Sequence, residues 1–73
     1  MIDKNLMVEL VKKEVTDRPY IRVGQSLFNT IANNYPLYDS FLRGSIYDTF
    51  HNYEMTIDDI SSYIDKINEF LIL

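Results

Sequence analysis

From residue 56 onward the aliphatic side chains Ile57, Ile60, Ile64, Ile67 and Leu71 recur at alternating spacings of three and four. That period lines them along one face of an α-helix and rules out the two-residue alternation of a strand. Tyr63 and Phe70 flank the stripe, while Asp58, Ser61, Ser62, Asp65, Lys66, Asn68 and Glu69 fall on the other side. The start of this helix is marked too. Thr56 followed by Asp59 is a short-chain form of the capping box, and Met55 and Ile60 stand at the two hydrophobic-staple positions. A stripe this broad needs a wall to pack against, and the remaining residues must supply it.

Upstream, Ile2, Leu6 and Leu10, with Met7, Val11 and Val15 beside them, predict an amphipathic helix over residues 2–16. Asp3 near its start and Lys12 and Lys13 near its end carry the signs that the helix dipole favours. Asp17, Arg18 and Pro19 break the chain, and Pro19 suits the first turn of a second helix with apolar positions Tyr20, Leu27, Phe28, Ile31 and Tyr35. Gly24 falls on that buried face, where glycine's helix penalty implies that another backbone comes close. Pro36 opens a short third helix with two adjacent apolar rows, Leu37 with Phe41 and Tyr38 with Leu42, and Gly44 is placed for a left-handed cap. Residues 45–55 have no helical period but hold Ile46, Tyr47, Phe50, Tyr53 and Met55, which predicts an ordered loop pinned by aromatics. The expected architecture is all-α: one domain over residues 1–73, a compact bundle of about four helices with an aromatic-rich loop between the third and fourth.

Seventy-three residues form one core at most, and with no Cys neither a disulfide nor a thiolate metal site supplements it. A core of this size leaves about 3–5 kcal/mol of stability, so burial against a partner or a second copy is a natural supplement. No stretch reaches the length of a membrane span, and Met1 to Asn5 do not open a signal peptide, which together predict a cytoplasmic protein. The net charge of −4 is unevenly spread. Residues 1–45 sum to +1, whereas residues 46–73 carry six carboxylates against Lys66 alone, a sum of −5. Such a surface repels phosphate backbones and anionic lipid and attracts basic partners.

Catalytic and metal chemistry find little support in the pattern. A metal would need His51, the sole histidine, to converge with Asp48 and Glu54 from one loop, and a lone satisfied or solvated imidazole is the simpler reading. No nucleophile-elbow pattern surrounds any Ser or Thr, and Asp58 and Asp59, about 100° apart on a helix, are explained by capping and the dipole. Gly24 and Gly44 are too far apart for a phosphate loop. The sequence therefore predicts no enzyme, cofactor or metal. The Ile stripe suits internal packing better than a coiled-coil seam, which leaves Leu71, Ile72 and Leu73 as apolar residues available to another molecule.

The stretch Arg22-Val-Gly-Gln-Ser-Leu-Phe-Asn29, followed by Arg43-Gly-Ser-Ile-Tyr-Asp-Thr-Phe50, resembles small bacteriophage and bacterial proteins with an Arg-x-Gly-Gln-x-Leu-Phe-Asn segment and then Arg-Gly-Ser/Thr and Asp-Pro-Phe. The likeness spans residues 18–50, with Thr49 in place of the proline. It implies an origin; no activity is assigned to those proteins. On the residues themselves, Arg22, Gln25 and Asn29 share one side of the second helix and are placed to bond the backbone of the loop after Gly44, with Asp48 pairing Arg43 or Arg22. Exposed Tyr47, Phe50 and Tyr53 beside Asp48, Asp58, Asp65 and Glu69 have the anatomy of an interface, with aromatic anchors inside a polar rim. The sequence thus points to a non-enzymatic protein-binding module, a modulator or inhibitor of a host protein if a phage encodes it. Its rivals are a structural homo-oligomer and an acidic nucleic-acid mimic or weak nucleic-acid binder using Lys12, Lys13, Arg18 and Arg22.

Overall fold

The apolar segments form four α-helices in the computed structural model of the chain, which describes residues 1–71. They are α1 (Lys4–Asp17), α2 (Val23–Asn34), α3 (Pro36–Leu42) and α4 (Ile60–Phe70), with no strand among the described residues. α1 packs against α2 and α4, and α3 against α2. Their shared core is built from Met7, Val11, Leu27, Ile31, Leu42, Ile60, Ile64 and Ile67, all fully buried. Among the described residues no helix is long and apolar enough to cross a membrane.

Three of the four helices begin for a local reason. Asp3 lies outside α1, where its carboxylate accepts the Leu6 N–H at 3.1 Å. Pro36 is the first residue of α3, where its missing N–H costs nothing. At the start of the last helical segment, one carboxylate oxygen of Asp59 accepts the Thr56 N–H at 2.8 Å and the Thr56 hydroxyl at 3.1 Å. The first turn there, Ile57–Asp59, is a 3₁₀ turn that widens into α4. Met55 and Ile60 on either side of the cap are both buried.

α2 departs from expectation at its start. It begins at Val23 and not near Pro19, with Arg22 as an N-cap that makes no side-chain capping bond. The chain turns at residues 18–21, where the Ile21 N–H donates to the Arg18 carbonyl and Ile21 enters the interior. Tyr20, expected on the apolar face, is exposed and accepts a hydrogen bond from Arg18 Nε at 2.9 Å. In α3 only one of the two apolar rows is used: Tyr38 and Leu42 are buried, while Leu37 and Phe41 remain exposed. Of the three C-terminal apolar residues, Leu71 is half-buried against the core, and Ile72 and Leu73 lie outside the described residues.

Long-range polar contacts close the bundle. The Ile2 N–H donates to Asn68 Oδ1 and Asn68 Nδ2 donates back to the Ile2 carbonyl, both at 2.8 Å. One turn along, Lys4 pairs with Asp65 at 2.9 Å. The Tyr38 hydroxyl donates to the Leu71 carbonyl at 3.0 Å, tying α3 to the end of α4. Ser26 is buried between α1 and α2 and donates to Glu14 at 2.6 Å.

Candidate functional site

The connection from α3 to α4, residues 43–56, crosses the molecule with little regular structure, so its backbone needs partners other than a helix ladder. Its own short side chains supply several. Asp48 accepts the Gly44 N–H at 2.8 Å through one oxygen and the Phe50 N–H at 2.9 Å through the other. Ser45 donates to the Leu42 carbonyl at 2.8 Å and accepts the Tyr47 N–H at 3.1 Å. Gly44, at φ +74°, makes the left-handed turn that releases the chain from α3.

The middle of the loop presses on the first turn of α2. A Cβ on Gly24 would lie 2.3 Å from the Thr49 carbonyl oxygen and 2.9 Å from that of Asn52, so only glycine fits. The buried Thr49 hydroxyl donates to the Gly24 carbonyl at 2.8 Å. Arg22 donates to the Phe50 carbonyl at 2.9 Å, and its guanidinium lies over the Tyr53 ring, 4.2 Å from the centroid. Its Nε is buried without a partner among the described residues. Phe50 meets Phe28 edge-on at a centroid distance of 6.0 Å, and His51 packs against Phe50 at 4.9 Å.

The end of the bundle beside α4 anchors the other half of the loop. Tyr47 packs against Phe70 with ring centroids 5.0 Å apart, and the Tyr63 hydroxyl donates to the Tyr47 carbonyl through a short bond. Burial, and after it the nearby Asp48 carboxylate, push the Tyr63 phenol well above the usual tyrosine range. That hydroxyl is a fixed donor and not an acid.

The expected loop-ordering network is therefore real only in part. Arg22 reaches the loop backbone, but Gln25 and Asn29 make no side-chain hydrogen bond among the described residues. Arg43 pairs within its own helix, with Asp39 at 2.9 Å, and sits over the Phe28 ring; Asp48 instead binds backbone N–H groups. The residues expected to meet a partner differ in how far they are exposed. Tyr47 and Phe50 are half-buried anchors, and Tyr53 is exposed but stacked under Arg22. Asp65 is held by Lys4, while exposed Asp58 and Glu69 form no ion pair among the described residues.

A different set of side chains faces outward. Ile46 is 90% exposed, Leu37 70%, Phe41 54% and Phe70 52%. Phe41, Ile46 and Phe70 border an open apolar groove of about 380 Å³, floored by Leu42 and Leu71 and closed on one side by Tyr47. Ser45, which also lines it, is already bonded into the loop. A second groove of about 410 Å³ shares Ile46 and Tyr47 with it and is polar, with Asp48, Asp59, Ser62 and Lys66 on its walls. No group of three or more His, Asp or Glu side chains is arranged to hold a metal among the described residues. The sequence puts Phe41 in one of two apolar rows of the third helix and Ile46 among the large side chains of the loop, without marking either as exposed. The available signal was that a seven-residue helix carried two apolar rows, more than it can bury. Compared with protein-family models, with curated proteins and with solved structures, the chain matches none.

Proposed function

We propose that the chain is a non-enzymatic protein-binding module whose contact surface is the apolar groove between Phe41, Ile46 and Phe70. The observation that carries this reading is Ile46. Burying an isoleucine side chain is worth about 1.5–3 kcal/mol, yet here it stands in solvent on a loop whose backbone is hydrogen-bonded on both sides of it. A side chain that contributes nothing to its own core, in a rigid mount beside two exposed Phe rings, suits a partner's apolar surface. The loop aromatics act behind that surface, with Tyr47 holding the groove wall and Phe50 fixing the loop to α2. Modulation or inhibition of a host protein is part of the same proposal and draws on the likeness of residues 18–50 to phage and bacterial proteins.

Affinity capture with the native chain, with Ile46→Asp and with Tyr20→Ser tests the reading. Tyr20 is exposed and distant in sequence from the groove, so it controls for general stickiness. Proteins retained by the native chain and Tyr20→Ser but lost with Ile46→Asp support the proposal. Retention indifferent to Ile46, or turnover of a small molecule by the purified chain with no protein partner, overturns it.

A further inference from the structure

We infer that the occupant of the apolar groove is a basic amphipathic helix of another protein, an inference that rests on the protein-binding reading above. The first ground is backbone chemistry. A peptide that docks by strand addition needs a sheet edge, and the described residues contain no strand to offer one. A helix satisfies its own N–H and C=O groups and presents side chains, which suits a groove with an apolar lining. The second ground is the lining. Phe41, Ile46 and Phe70 come from three separate segments around the groove, so a single stripe of side chains enters between them. A small polar ligand would find few groups to orient it, since the Ser45 hydroxyl is already bonded to Leu42 and Tyr47 and the Tyr47 hydroxyl is the other polar side-chain group on the lining.

Charge decides the rest. The polar groove that shares Ile46 and Tyr47 with the apolar one carries Asp48 and Asp59 against Lys66. Glu69 adjoins Phe70 in α4 and forms no ion pair among the described residues. A helix with Lys or Arg beside its apolar stripe would bring cations to these carboxylates, and the attraction would speed its approach. A second copy of this chain, itself at −4, would bring the same acidic segment against its like.

The test uses the full chain and two helical peptides with the same Leu/Phe face, one with a Lys/Arg polar face and the other with a Glu/Asp one. Fluorescence anisotropy should show the basic peptide binding at least about tenfold more tightly than its acidic twin, and weakening as salt rises. Ile46→Asp, exposed and so outside the core, should reduce that affinity by about tenfold or more with an unchanged circular dichroism spectrum, and Glu69→Lys should reduce it by a smaller factor. Equal binding of the two peptides, or basic-peptide binding that survives Ile46→Asp, overturns the inference. So does sedimentation showing a dimer that Ile46→Asp abolishes. If neither peptide binds while Ile46-dependent capture of a partner persists, the basic helix is wrong and the protein-binding reading stands; if that capture also fails, both fall.

Discussion

Replacing Gly24 with alanine puts two effects in direct opposition. Alanine is the better helix former by about 1 kcal/mol, so on propensity alone Gly24→Ala would stabilise α2. The added Cβ, however, would sit 2.3 Å from one backbone oxygen, that of Thr49, and 2.9 Å from another, that of Asn52. Neither can swing away as a side-chain tip would, so the loop itself must retreat. Overpacking of this kind costs about 1–3 kcal/mol. The retreat also stretches the 2.8 Å bond from the Thr49 hydroxyl to the Gly24 carbonyl, worth about 1 kcal/mol. Against the propensity gain, the net is a loss of about 2 kcal/mol, close to half of what a core this small supplies. At about 4–8 °C per kcal/mol, thermal unfolding followed by circular dichroism should shift down by about 8–16 °C. Gly44→Ala is the comparison. It has φ +74° and open space around it, so its cost is the left-handed backbone alone, about 1 kcal/mol. A Gly24→Ala chain as stable as the native one, or more so, would refute the close approach of loop and helix.

Three further outcomes follow from named contacts. Asn68→Ala removes both bonds to Ile2 and should cost about 1–3 kcal/mol, with faster hydrogen exchange at the Ile2 amide; unchanged exchange there would show that the clasp carries no weight. Tyr63 is held neutral by burial first and Asp48 second, so its folded pKa lies above the unfolded value of about 10. The stability it contributes is complete below that pH and drains away as pH rises through the folded value. Alkaline unfolding curves should therefore steepen above pH about 10, and Tyr63→Phe should flatten them; identical curves would remove Tyr63 as the cause. Arg22→Lys keeps the charge but loses the planar stack on Tyr53 and the aim at the Phe50 carbonyl. A loss of about 1 kcal/mol in urea unfolding is expected, and no change would mean the stack is incidental.

The elements that could be read from sequence were those whose cause is local. The Thr56–Asp59 cap, the staple and the isoleucine stripe of α4 each need only neighbours within a turn or two, and all three are in place. Gly24 was legible for a related reason: its penalty inside a helix called for a close contact, and Thr49 provides it. The start of α2 was not legible, because its N-cap is an arginine without a capping bond and the turn before it is fixed by the burial of Ile21. Periodicity gave both rows of α3 but not which would be buried, since that choice depends on where α2 and the end of α4 lie. Likewise, a shared helix face put Arg22, Gln25 and Asn29 together without saying which side chains reach the loop; only the arginine does. The loop's own bonds from Ser45 and Asp48 to amides two residues on had a recognisable spacing, and it was the emphasis on aromatics that obscured them.

The paired bonds between Ile2 and Asn68 bring together residues 66 positions apart, making the backbone nearly a closed ring. A short flexible linker between the segments that hold these two residues should add little closure entropy, because the fold already holds Ile2 and Asn68 side by side. New termini could then be opened at the exposed turn of Pro19 and Tyr20 between α1 and α2, and a permuted chain should recover the same bundle with the groove untouched.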